Sequence, residues 1–241
     1  INDWYLAIVT SGSIVAEELN KILEATLIAS GFILIITFII SLYVILSYLE
    51  KKEQLYNLAY IDPITKLGNH YFFIENGEKL LKQNLINYII ILDIDKFKSF
   101  NKQYGHNVGD KLLYEIGSRL KKEINNNQIV CRISNDVFAC ILMEKDSIEK
   151  TAERINSSLS KIQFDNFEFL IKISMGIYKI TGKESSIKEI LDKTLIANRM
   201  SKEDYSRLFT MYDEKIEEKL NREHYIESIM EEGIEKNEFT S

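Results

Sequence analysis

The sequence predicts an α/β fold of the α+β kind: a mixed central sheet with one antiparallel hairpin, helices packed on it, and a single transmembrane helix in front. Three observations predict it. Residues 25–49 (ATLIASGFILIITFIISLYVILSYL) carry no charge and lie between Glu24 and Glu50. From Asp62 onward, apolar runs of strand length alternate with segments of helical periodicity. Two of those runs, 129–133 and 137–142, are parted only by Ser134, Asn135 and Asp136, residues that favour turns.

In chain order, residues 1–23 contain DWYLAIVTSGSIVAEEL, a short apolar strand over Trp4 to Val9 followed by a helix leading into the membrane. Residues 24–49 form the span, because about twenty apolar residues in a helix cross a hydrocarbon core of roughly 30 Å. The run is too long for a signal peptide and lacks the amphipathic face of a core helix. Lys51 and Lys52 follow it, whereas Lys21 is the nearest base before it. That positive-inside bias puts the C-terminal side in the cytoplasm. Residues 50–61 read as a signalling helix with Leu55, Leu58 and Ala59 on one side, suited either to pairing with a second copy or to packing on its own domain.

Residues 87–94 (NYIIILDI) read as a buried strand, and 111–124 as a helix through Leu112, Leu113, Ile116 and Leu120. After the hairpin come a helix over 148–162, a strand over 169–178 and a helix over 187–200, which complete a domain spanning 62–213. Residues 214–241 read as a linker and an amphipathic helix. The chain starts at Ile1 rather than Met and stops within a charged helical pattern, so it is expected to be a piece of a longer protein.

A formal net charge of -6 offers nucleic acid no basic footprint, so none is expected as a partner. The acidity is concentrated in residues 203–238, a solvated helical face. Cys131 and Cys140 have no second cysteine pair or His cluster to build a metal site, and read as small core residues in a reducing compartment.

Residues 92–113 (LDIDKFKSFNKQYGHNVGDKLL) carry the chemistry. A carboxylate at the end of a buried strand is followed by a Lys, an Asn and a Gly-bounded loop with a second Asp where a helix starts. Mg2+ takes one or two carboxylates together with substrate phosphates. A Lys neutralises phosphate as a point charge, and Asn with Asp matches the edge of a purine. Each of these residues alone reads more simply as a turn or capping residue.

Together they resemble the GGDEF family of diguanylate cyclases. Residues 62–73 (DPITKLGNHYFF) resemble the family's opening motif, 92–113 its strand, metal Asp, FK, N, YGH and GD, and 173–176 (ISMG) its later strand motif; 197–202 resemble its final helix in part. The resemblance covers roughly residues 55–213. It implies that Asp93, Asp136 and the carbonyl of Ile94 hold Mg2+ or Mn2+, and that Lys98 and Lys202 meet GTP phosphates. It further implies that Asn101 and Asp110, the latter as a buried carboxylate, bind the guanine edge.

The signature hairpin departs from the family. Where GG, Asp or Glu, Glu and Phe are usual, this chain has Ser134, Asn135, Asp136, Val137 and Phe138. Ser and Asn deny the tip the freedom of glycine, and Val137 can neither bind metal nor accept a proton. Asn125 and Gln128 stand where the family's inhibitory Arg-x-x-Asp motif falls, and neither is charged. Residues 224–239 resemble the first helix of an EAL phosphodiesterase domain, and the segment before the span resembles the exit of an extracytoplasmic Cache sensor.

The expectation is therefore a degenerate GGDEF domain at 62–213, on the cytoplasmic side of a bacterial membrane, with no intact catalytic set. It would bind GTP, pair as a homodimer and regulate a downstream EAL domain that starts within 214–241. Two rival readings stay open: an active cyclase making cyclic di-GMP from two GTP, and a dimerisation scaffold that binds nothing.

Overall fold

The computed structural model describes residues 12–124, 128–143, 147–164, 167–203 and 207–213, with isolated positions between 215 and 230. The strand expected over Trp4 to Val9 and nearly all of the expected EAL-like helix lie outside the described residues. Helix α1 (Gly12–Tyr60) is continuous for 49 residues. No Pro interrupts it, so the apolar run and the charged segment after it share one helix. Leu27, Leu34, Phe38 and Tyr43 are each about 70% exposed, the burial pattern of a helix whose apolar surface has no protein cover. It is the one described helix long and apolar enough to cross a membrane.

Residues 56–241 form a separate compact unit. After α2 (His70–Lys82) comes β1 (Tyr88–Ile94), followed by α3 (Phe97–Tyr104) and α4 (His106–Glu123). The hairpin strands are β2 (Ile129–Ser134) and β3 (Val137–Leu142). Then follow α5 (Ile148–Leu159), β4 (Lys161–Phe164), β5 (Phe167–Leu170), β6 (Ile173–Lys179), α6 (Ile187–Glu203) and β7 (Thr210–Met211). The main sheet runs β2-β3-β1-β6-β7, and β4 and β5 form a hairpin of their own. β1 is antiparallel to both β3 and β6, whereas β6 and β7 run parallel, so the sheet is mixed as predicted.

Strand alternation sends Ile90, Leu92 and Ile94 to one face, where they pack with Leu112, Ile116 and Leu120 of α4 and Ile155 of α5. Ile89 and Ile91 face the other way, toward Phe73 of α2 and Ile187 and Ile190 of α6. A central strand covered on both faces has to be apolar throughout, which is why 88–92 shows no alternation in sequence. Cys131 and Cys140 are free and buried, and burial pushes the Cys131 thiol up to about 12.

Several boundaries differ from the sequence reading. α4 begins at His106 rather than 111, because its first turn, HNVGD, is polar and carries no hydrophobic period. α5 ends at Leu159 rather than 162: Ile162 keeps the helical spacing after Ile155 and Leu159, but it belongs to β4 and pairs with Phe169 of β5. The strand expected over 169–178 is two strands broken at Ile171 and Lys172, of which only β6 joins the main sheet.

Gly176 explains the tight seat of α6 on β6. A Cβ there would stand 2.3 Å from the Asn198 backbone N and 2.5 Å from the Thr194 carbonyl O, so only glycine admits the helix. Asn198 uses that proximity. Its buried side chain donates to the carbonyls of Ser174 at 2.8 Å and Ile91 at 3.4 Å, tying α6 to β6 and β1.

Candidate functional site

A cleft of about 740 Å³ opens between α3, α4 and the tip of the β2-β3 hairpin. Lys98 and Asn101 reach it from α3, Asp110 from the start of α4, and Asn135 and Asp136 from the tip, with Phe97 and Leu113 as apolar lining. The structure therefore gathers these five polar groups, dispersed over about forty residues of sequence. Asn101 Oδ1 is a buried acceptor without a partner. Its position depends on Gly109, where a Cβ would lie only 1.9 Å from it. Asp110 is exposed at the cleft rim and not buried as expected, because it sits on the outward side of the first turns of α4.

The tip holds without glycine. Among the described residues, positive φ outside glycine occurs at Lys66, Asn84 and Lys96, and not at Ser134, Asn135 or Asp136. A register slip supplies the bend instead. Arg132 pairs with Phe138 and Ser134 pairs with Val137, leaving Ile133 as an extra residue in β2.

Arg132 then pins the turn. Its Nε and Nη2 donate to the Asn135 carbonyl at 2.9 and 2.6 Å, while Nη1 lies 3.1 Å from both carboxylate oxygens of Asp62. Asp62 also accepts from the Thr65 N–H and hydroxyl, each at 2.7 Å. Burial pushes its carboxyl up, but the Thr65 and Arg132 donors outweigh that and hold it below the usual 3.8. The opening motif is thus a brace for the hairpin. The Arg132 N–H donates to the Gly68 carbonyl at 2.9 Å and completes the contact.

Asp93 does not line the cleft. It lies one residue before the end of β1, on the face covered by α2 and α6, with Val137 of β3 on one side in register and Ser174 of β6 on the other. Directly opposed residues of antiparallel strands point to the same face, so Val137 stands where a second carboxylate would meet Asp93. Lys202 Nζ of α6 lies 2.7 Å from Asp93 Oδ2, and Oδ1 is buried with no hydrogen-bond partner. Burial raises the Asp93 carboxyl most; Lys202 draws it down, and the charges of Asp136 and Asp95 push it up again. The Ile94 N–H donates to the Asp136 carbonyl at 3.3 Å, which sets the tip against the end of β1. Ile94 itself belongs to the core, and Phe138 is buried beside it.

The unpartnered Asp93 Oδ1, with Asp136 near enough for its charge to be felt, is a donor set that suits Mg2+ or Mn2+. Among the described residues no three His, Cys, Asp or Glu side chains gather around one point, so such an ion would draw its other ligands from backbone, water and phosphate. Arg132, Gly109, Asn198 and the Ser174–Asp95 hydrogen bond at 2.6 Å escaped the sequence reading. An Arg two residues before a turn was the available signal for the first. Asn125 lies outside the described residues.

Residues 59–206 match the family model "Diguanylate cyclase, GGDEF domain". Over 137 residues the chain is 29% identical to the probable diguanylate cyclase DgcT of Escherichia coli (strain K12), covering 54% of this chain and 30% of that protein. Over 152 residues it is 26% identical to the bifunctional diguanylate cyclase/cyclic di-GMP phosphodiesterase MucR of Pseudomonas aeruginosa, covering 60% and 22%. The chain thus spans less than a third of the length of either relative. The solved GGDEF domain of DgcB from Caulobacter crescentus, in complex with c-di-GMP, superposes with a TM-score of 0.57 at 24% identity, covering 64% of this chain and 94% of that one. That likeness establishes the fold.

Proposed function

The chain belongs to the diguanylate cyclase GGDEF-domain family, and from that premise we propose that residues 62–213 bind GTP with Mg2+ or Mn2+, yet join nucleotides poorly or not at all. The domain then serves as a regulatory element of a cyclic di-GMP signalling protein. The observation that carries the reading is the pairing of Asp93 with Val137 in the β1-β3 ladder. A carboxylate at 137 would share one face with Asp93, and a valine removes both a metal ligand and a proton acceptor. Loss of a general base alone removes a factor of about 10² to 10⁴ in rate.

The groups needed for binding remain. In this proposal Asp93, Asp136 and the Ile94 carbonyl hold the divalent cation, which neutralises phosphate charge. Lys98 and Lys202 meet the phosphates, and Asn101 and Asp110 accept the guanine edge within the cleft. The α1 helix anchors the domain to the bacterial cytoplasmic membrane with residues 62–213 in the cytoplasm, and residues 50–61 pair two copies. A downstream EAL phosphodiesterase beginning in 214–241 is the partner that the nucleotide state controls, and residues 1–23 close a Cache-like sensor. The two activities in the name of the relative MucR support association with a cyclic di-GMP phosphodiesterase.

The test uses the full chain in detergent micelles. Calorimetry is expected to give magnesium-dependent GTP binding, and chromatography of an overnight reaction to give no cyclic di-GMP above a protein-free control. Robust turnover would establish an active cyclase instead, and absence of any GTP binding would leave a scaffold.

A further inference from the structure

Building on the proposed GTP and metal site, we infer that the Lys202 ammonium is an internal cation that occupies the divalent-metal position at Asp93 until a nucleotide triphosphate draws it away. Metal entry is thereby made conditional on nucleotide.

Three observations converge on this. Lys202 Nζ lies 2.7 Å from Asp93 Oδ2, the distance of a charge-assisted hydrogen bond, on a carboxylate otherwise sealed between β3 and β6. The second oxygen, Oδ1, is buried and unpartnered, so the ammonium satisfies only half of the carboxylate and leaves one acceptor open. Third, Val137 sits beside Asp93 where a further carboxylate would let ammonium and metal be held together. Asp93 is the carboxylate that the ammonium holds, so a divalent ion has to compete with the ammonium for it.

Lys202 is able to leave. Its side chain is 41% exposed whereas that of Asp93 is 10% exposed, so the lysine is the mobile member of the pair. It is carried by the last turn of α6, and its remaining freedom lies in a flexible four-carbon stem. A triphosphate brings several anionic oxygens, which accept the ammonium and supply the metal ligands that this protein lacks. Mg2+ keeps few protein carboxylates and favours phosphate oxygens, so the exchange suits its coordination.

The experiment is a titration of the full chain in micelles with Mn2+, followed by the paramagnetic resonance signal of the free ion, with and without GTP. For the unaltered chain, Mn2+ binding is expected to be weak alone and at least tenfold tighter with saturating GTP. Lys202→Met, which keeps the stem, is expected to tighten nucleotide-free Mn2+ binding about tenfold, the effect of releasing one charge-assisted hydrogen bond. It should also weaken GTP binding. Val137→Glu, with Lys202 intact, is expected to tighten nucleotide-free Mn2+ binding as well, by supplying the second carboxylate.

Opposite signs for metal and nucleotide in Lys202→Met cannot come from a merely structural role, which would weaken both. If the unaltered chain binds GTP with Mn2+ and Lys202→Met leaves nucleotide-free Mn2+ binding unchanged or weaker, the internal-cation inference is overturned while the nucleotide site stands. If Lys202→Met gains Mn2+ affinity but neither protein binds GTP, the cation position is upheld and the nucleotide reading falls. If none of the proteins binds either ligand, both are overturned.

Discussion

The Arg132 brace yields the sharpest stability prediction. Replacing Arg132 by Met keeps the aliphatic stem and removes both contacts to Asp62 and both donations to the Asn135 carbonyl. The Arg132 and Asp62 side chains are only 10% and 15% exposed, so water replaces their part-buried contacts incompletely, whereas the Asn135 contacts are exposed. Breaking a buried pair from one side typically costs about 3–5 kcal/mol. Asp62 keeps its two Thr65 donors, which favours the lower end, about 3 kcal/mol. For a unit of this size that lowers Tm by about 6–12 °C. Circular dichroism melts of the full chain in micelles measure it. A shift below about 2 °C would refute the brace, and so would simple additivity with Asp62→Asn, because groups that share hydrogen bonds must couple. Acid supplies an independent check. The Asp62 carboxyl is held below its usual 3.8, so its contribution is complete above that value and is lost as pH falls through the lower, folded value. The stability gap between the two proteins should therefore narrow on acidification below 3.8, and a gap that stays constant or widens contradicts the argument.

Further outcomes are expected. Ser134→Gly, Asn135→Gly and Val137→Glu together should restore measurable cyclic di-GMP synthesis in a dimeric protein, since the glutamate would stand beside Asp93. A triple variant that dimerises and binds GTP but stays silent would place the lesion outside the hairpin. Asp110→Ala should weaken GTP binding about tenfold in calorimetry, the loss of one charge-assisted contact at an exposed rim; unchanged affinity would remove Asp110 from the base site. Gly176→Ala should destabilise the domain by about 3 kcal/mol or more, because the added methyl meets helix backbone that has no rotamer to give. A thermal shift of a degree or less would show that α6 can retreat from β6.

Sequence alone disclosed the elements whose signal is local. The uncharged run at 25–49, the apolar strand at 88–94 and the hairpin around 134–136 lie where the pattern places them. What it missed depends on pairing. Ile162 fits the helical spacing of Ile155 and Leu159, and only its partner Phe169 across a second hairpin makes it a strand residue. The polar first turn of α4 is helical because α3 and the Asn101–Gly109 contact fix it, and hydrophobic period cannot register that. The site residues Lys98, Asn101, Asp110 and Asp136 were nameable, and the cleft unites them. The hold of Lys202 on Asp93 was not, since it spans more than a hundred positions and depends on α6 crossing β6 at a glycine.

The hairpin shows why a degenerate signature need not unfold its domain. Two demands meet at residues 134–138, one structural and one chemical, and they are met by different atoms. The structural demand is a reversal of direction that keeps Phe138 in the core and β3 in register with β1. The bulge at Ile133 and the Arg132 clamp on the Asn135 carbonyl meet it with ordinary backbone angles, so glycine is dispensable for folding. The chemical demand is a close approach of ligand to the tip and a carboxylate beside Asp93, and neither Ser134, Asn135 nor Val137 contributes to it. Val137 instead packs against the apolar cluster on its face, which adds to stability. On the proposed reading, substitution at these positions separates folding from turnover, and selection for a folded domain alone supplies no physical reason to retain the glycines or the glutamate.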